Sequence, residues 1–342
     1  MLKKPIRALA LAILLPVSAI TPALADNIEA TPAKVLFGDV STSSRLAPHA
    51  IGSYAKGCLA GAVALPVNGP DWQAMRLSRN RNWATPELIA FTEKLAQDAR
   101  HQDGWPGLLV GDMGQPRGGP ARTGHASHQI GLDVDIWLTP MPARTLSRDE
   151  REKMSATSMV NEKARVIDRS VWTPGQVKLI RRAALDPRVA RIFVNPAIKK
   201  ALCQDTRGDR GWLNKVRPWW GHTYHFHVRL DCPPGMASCV PQKAPPAGDG
   251  CGPELDAWLQ PPKPPKTPPK PTKPAVKPRP VVLADLPPAC RQVLQAAPAG
   301  LAPVPAAATA REPEPAAAMS YDATPPADIE NPSDAPATGS LH

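Results

Sequence analysis

The sequence predicts an α+β fold: a small antiparallel sheet with flanking helices, linked by disulfides and followed by a proline-rich C-terminal tail. Three observations carry this. Helix starts and short strand candidates are mixed without a regular βαβ rhythm. All six cysteines follow an apolar N-terminal segment, as expected of an exported, disulfide-bonded chain. And 21 of the 44 prolines fall in the last 82 of the 342 residues. So proline-rich a stretch buries too little apolar surface to offset the entropy of ordering it. The folded part is therefore expected over residues 26–260, as one domain, and a hydrophobic content of 42% excludes a polytopic membrane protein.

Taken in order, residues 1–25 read as a secretory signal. Lys3, Lys4 and Arg7 precede the apolar run Ala8–Ile20, and Ala23-Leu24-Ala25 offers a small-x-small cleavage site. Cleavage would leave no transmembrane anchor. Thr85-Pro86 then starts a helix, with a capping hydroxyl before a proline at the first position and Leu88, Phe91 and Leu95 on one face. Thr173-Pro174 repeats the device with Val177, Ile180 and Ala184, until Asp186-Pro187 stops it, and Asn195-Pro196 opens a short helix towards Leu202. The strand candidates are Gly107–Val110, Gly131–Leu138, Val189–Val194 and His225–Leu230, each bounded by Gly, Pro or Asn. Residues 261–291 form a Pro/Lys strap, extended and tethered by Cys290, and residues 292–342 an Ala/Pro-rich acidic tail expected to be disordered.

The full chain has formal charge +11, and losing Lys3, Lys4 and Arg7 leaves +8. Nucleic acid is not expected as the partner of an exported chain. An anionic envelope polymer or membrane surface fits the charge better. The sequence leaves a homodimer open.

Chemistry concentrates in two segments. In GHASHQIGLDVDIW (124–137), the period of two puts Leu132, Val134 and Ile136 on one face and Asp133, Asp135 and Trp137 on the other. In HTYHFHVRL (222–230), Phe226, Val228 and Leu230 share one face, and His225 and His227 the other. A lone H-x-H or D-x-D is ordinary surface chemistry. Here five of the eight histidines crowd into two matched segments. Two imidazoles and a carboxylate with an open fourth position suit catalytic Zn²⁺. His128, Asp135 and His227 are the expected zinc ligands. His225 is the expected acid/base helper and His222 the second candidate for that role. Asp133 is expected to orient a histidine rather than bind metal. Trp219, Trp220 and Tyr224 are candidate groove walls, and Arg217 and Arg229 candidate partners for substrate carboxylates.

The pattern His128-x-x-Gly131-x-x-x-Asp135, with His225-x-His227 downstream, resembles the zinc peptidases of the lysostaphin and D-Ala-D-Ala carboxypeptidase type. GHASHQIGLDVDIW, RIFVNPAIKKALC, WLNKVRPWWGH, HFHVRLDCP and GDGCGPELDAW resemble, within that group, the penicillin-insensitive murein endopeptidases of Gram-negative bacteria, over roughly residues 36–262. The resemblance implies a periplasmic zinc metallopeptidase that hydrolyses the D-alanyl–meso-diaminopimelyl crosslink of peptidoglycan and ignores penicillin. It also implies that the position of His125 serves a second metal site, although NEKARVIDR (161–169) lacks the Asp-x-x-His that would complete one. The cysteine pattern implies Cys58–Cys290, Cys203–Cys251 and Cys232–Cys239. The motif leaves open a D,D-carboxypeptidase, an L,D-endopeptidase, or a wall-binding protein with a structural zinc. The spare imidazole of His225 favours an enzyme.

Overall fold

A computed structural model describes residues 28–260 and 279–299. The signal segment, most of the Pro/Lys strap and the acidic tail from residue 300 lie outside the described residues. In chain order the strands are β1 (His49–Ser53), β2 (Lys56–Ala60), β3 (Val63–Ala64), β4 (Trp72–Ala74), β5 (Trp83–Ala84), β6 (Leu108–Val110), β7 (Asp133–Trp137), β8 (Val160–Asn161), β9 (Val166–Ile167), β10 (Val189–Val194), β11 (Val216–Pro218) and β12 (His225–Leu230). The helices are α1 (Ala33–Gly38), α2 (Pro86–Asp103), α3 (Arg148–Lys153), α4 (Pro174–Leu185), α5 (Pro196–Asp205), α6 (Pro253–Leu259) and α7 (Ala289–Gln295).

The three expected helices begin where their caps place them. Thr85 Oγ1 accepts from Leu88 N, Thr173 closes a capping box with Gln176, and Asn195 Oδ1 accepts from Ala197 N at 2.9 Å. Gly104, at φ 74°, ends α2 in the left-handed conformation that suits glycine. The face that α4 buries is Gln176, Leu179, Ile180, Ala183 and Ala184, displaced from the expected one because Val177 sits only half buried. α5 runs on to Asp205, three residues beyond the expected end.

The central sheet corrects the expectation of a small antiparallel one. It has six strands in the order β11-β10-β12-β7-β6-β4, and it is mixed. β12 pairs antiparallel with both β7 and β10, while β11 adds parallel to β10 and β4 parallel to β6. The two added edge strands have three residues each, too few to display alternation, and β11 contains Pro218, which only an edge tolerates. Two small antiparallel pairs, β3–β5 and β8–β9, and the hairpin β1–β2 stand apart from it.

One face of this sheet carries Val134, Ile136, Ile192, Val194, Phe226 and Val228, all fully buried against α2, α4 and α5 in the main core. The opposite face carries the histidines and aspartates. β7 and β12 are in a register that places His227 opposite Asp135 and Arg229 opposite Asp133.

A second core joins segments far apart in sequence. Ala33 and Phe37 of α1, Ile51 and Cys58 of the hairpin, and Leu283, Leu286, Cys290 and Val293 pack together. The disulfides are Cys58–Cys290, Cys203–Cys251 and Cys232–Cys239, the pairs that the resemblance implies. The packed segment runs past residue 291, where composition set a boundary, to Ala299, whose amide donates to Ser43 O at 2.9 Å.

Candidate metal centre

Asp135 stands at the middle of a histidine cluster. One oxygen, Oδ1, lies 3.3 Å from His227 Nδ1, 3.5 Å from His128 Nε2 and 3.7 Å from His225 Nε2. The other, Oδ2, lies 3.1 Å from His125 Nε2. The backbone supplies this geometry at some cost. His128 and His222 adopt left-handed conformations (φ 67° and 49°) although neither is glycine, a strain that persists only where surrounding contacts fix it. For His128 the fixing contact is its own amide, which donates to Asp133 Oδ2 at 3.0 Å.

Asp133 is fully buried and takes two more donors on Oδ1, from His227 Nε2 and Arg229 Nε, each at 2.8 Å. Burial works to raise its pKa. Arg229 and His227 together overcome that and hold the carboxyl well below the usual carboxylate range. With Nε2 committed to Asp133, His227 turns Nδ1 towards Asp135. Burial also pushes the His225 imidazole down to about 4 against the pull of Asp135, so the ring is neutral at neutral pH.

His222 is anchored by Nδ1 on Trp220 O at 2.7 Å and directs Nε2 into the cluster, 4.8 Å between its ring and that of His225. Among the described residues, both ring nitrogens of His128 and of His225, Nε2 of His222, and Oδ1 of Asp135 are buried without a hydrogen-bond partner. An orphaned buried polar atom costs about 1–3 kcal/mol, so such a concentration calls for a ligand that binds nitrogen and oxygen lone pairs. A divalent metal of the zinc type has that donor preference, and the residues present fit it. Ligand atoms within 4.8 Å of one another come from His125, His128 and Asp135, and from His125, His222 and His227. His125 thus joins the same cluster rather than standing apart. Asp168, within NEKARVIDR, accepts from the Ser170 hydroxyl at 2.6 Å.

Two expectations about substrate contacts are corrected. Arg229 is buried, stacked 4.1 Å from the Tyr54 ring and 5.1 Å from that of Phe193, and is spent on Asp133. Arg217 pairs with Glu254 at 3.4 Å. Trp220 and Tyr224 are exposed at the rim, and Trp258 of α6 joins Trp219 and Trp220. Sequence reasoning missed Asp112, buried beside the cluster and paired with Arg81 at 2.9 Å and Arg79 at 3.1 Å. Those two arginines hold its carboxyl below the usual range against its burial. The only signal was a charged residue two positions after an apolar strand end.

The sequence profile described as penicillin-insensitive murein endopeptidase matches residues 50–295. A protein of that name from Haemophilus influenzae is 50% identical over 217 residues, 63% of this chain and 74% of the relative. One from Klebsiella pneumoniae is 43% identical over 272 residues, 80% of this chain and 94% of its own. Another from Yersinia pestis is 44% identical over 247 residues, 72% and 86% of the two chains. With the buried histidine–aspartate cluster inside the matched span, the chain belongs to the penicillin-insensitive murein endopeptidase family.

Proposed function

We propose that the chain is a zinc-dependent murein endopeptidase of the Gram-negative periplasm, hydrolysing the D-alanyl–meso-diaminopimelyl crosslink of peptidoglycan. The observation that carries this reading is the set of buried, unpartnered imidazole nitrogens gathered around one carboxylate. His128, Asp135 and His227 would hold the ion, His227 through Nδ1. When bound, zinc supplies Lewis acidity to the scissile carbonyl and a nucleophile at neutral pH. Asp133 fixes the His227 ring and its tautomer. His225, on the same face and two residues from His227, is placed to exchange a proton with the scissile amide, and His222 stands beside it. Three disulfides suit an oxidising compartment, and no helix among the described residues is long and apolar enough to cross a membrane.

The test is digestion of purified crosslinked sacculi, with products separated by chromatography and mass and zinc counted by elemental analysis. Wild type should convert crosslinked dimers to monomers, and a chelator should stop it. His227→Ala should lose both zinc and activity. His225→Ala should keep its zinc and lose about 10²–10⁴-fold in rate. Full zinc occupancy in His227→Ala overturns the ligand assignment. Release of free D-alanine in place of monomers overturns the endopeptidase reading.

A further inference from the structure

We propose that Arg79 determines specificity at this site by binding the carboxylate carried on the amine side of the scissile bond. The inference rests on the crosslink reading above. In that crosslink the carbon bonded to the scissile nitrogen, the D-centre of diaminopimelate, bears a free carboxylate. Any productive pose therefore brings an anion to the edge of the metal cluster, where an arginine fork is the natural partner.

The charges around the cleft leave Arg79 unmatched. Arg229 is neutralised by Asp133 and shut inside the core. Arg81 is nearly buried, spends Nη1 on Asp112 and Nη2 on Thr123 O at 2.7 Å, and so holds the loop that carries His125. Arg79 shares Asp112 with Arg81, using Nη1 alone, and its side chain is 47% exposed. Among the described residues Nη2 and Nε of Arg79 have no partner. Two arginines on one carboxylate leave one positive charge over, and it faces solvent.

The position is next to the chemistry. Asp112 lines one cavity with Arg81, His125 and His128, and its carbonyl accepts from the Asp135 amide at 2.9 Å. Arg79 is thus one carboxylate away from the cluster. Tyr224, exposed and with its ring 4.6 Å from that of His225, stands at the edge of the same cluster.

Arg79 is also held in place before any ligand arrives. It ends a single 3₁₀ turn, Leu77–Arg79, bracketed by Arg76 and Asn80 in left-handed conformations (φ 56° and 50°). Ser78 binds Glu152 through its amide and hydroxyl, at 2.7 and 2.9 Å, and Asn80 Oδ1 accepts from Trp83 Nε1 at 2.8 Å. Arg76 anchors the turn by donating to Arg151 O and Met154 O. With its backbone so fixed and Nη1 tethered on Asp112, Arg79 loses less freedom on binding, which favours affinity.

Two synthetic crosslinked dimers test this, one with the free carboxylate on the amine-side diaminopimelyl residue and one with that group amidated. Zinc-loaded wild type should show a KM about 10- to 100-fold lower for the free acid, the range for a charge-assisted hydrogen bond. Arg79→Gln should raise the KM for the free acid to that of the amide, with the loss in KM rather than kcat, and Arg79→Lys should recover part of it. Binding of the diaminopimelyl product, followed by tryptophan fluorescence, should weaken about 10- to 100-fold in Arg79→Gln. If wild type cleaves both dimers alike, or Arg79→Gln still prefers the acid, the assignment of Arg79 is wrong while the function stands. If zinc-loaded wild type cleaves neither dimer, the crosslink reading itself fails, and the subsite with it.

Discussion

Three donors converge on Asp133, and each does a different job. Arg229 keeps the carboxylate ionised inside the core, the His128 amide fixes a left-handed turn, and His227 Nε2 fixes a ring orientation. Asn in place of Asp133 keeps the shape and loses the charge that sets the His227 tautomer. We therefore expect Asp133→Asn to weaken zinc binding about 10- to 100-fold, the usual effect of removing a partner of a ligating histidine. Competition against a chromogenic chelator measures this directly, and an unchanged affinity would show that the ring is held by packing alone. Arg229 was misread from sequence because its partner is fixed by strand register, Arg229 opposite Asp133, which period-two alternation does not report.

At the scale of elements, what was legible followed from local chemistry. The Thr-Pro and Asn-Pro starts of α2, α4 and α5 and the full extents of β10 and β12 could be read directly, because caps and alternation act within a few residues. The same alternation put Asp133, Asp135, His225 and His227 on one face. Edge strands β4 and β11 were not legible, since their pairing depends on distant partners, and the hairpin β1–β2 was not, since its strands are buried in unbroken runs that show no alternation. The hairpin matters to the site. Gln129, directly after His128, accepts from Gly57 N at 3.1 Å and donates to Ala55 O and Ala126 O at 2.7 Å. The turn that carries His128 is thereby clamped to the loop between β1 and β2. Gln129→Ala should cost about 2–4 kcal/mol, from three hydrogen bonds, one buried and two partly buried, and the groups left unpaired. Urea unfolding of the zinc-loaded protein, read as a lower midpoint at unchanged slope, checks this. An unmoved midpoint would mean that the hairpin does not support the turn.

At the scale of the whole molecule, residues 28–60 and 281–299 are fastened to one another. Cys58 lies in β2 of that hairpin, and Cys290 lies 232 residues later in α7. The bond closes a loop that contains every histidine and aspartate of the cluster. Chain-entropy reasoning gives such a closure about 5 kcal/mol as an upper value. The bond is not the only fastening. Arg117 donates to Val293 O and Leu294 O at 2.8 and 2.6 Å, Ala33 N donates to Val281 O at 2.8 Å, and Arg45 N to Ala297 O at 2.8 Å. These contacts sit behind the hairpin, on the second core, and none touches a histidine of the cluster. Replacing both cysteines, Cys58→Ser with Cys290→Ser, should therefore lower Tm by about 10 °C, at roughly 2–4 °C per kcal/mol for a domain of this size. Zinc content at 25 °C should stay at the wild-type value, since the hairpin keeps its register and Gln129 keeps its partners. Calorimetry paired with elemental analysis separates the two effects. A Tm within about 2 °C of wild type would assign the fastening to Arg117 and the backbone contacts, whereas zinc lost in step with Tm would show that the second core and the metal cluster unfold as one unit.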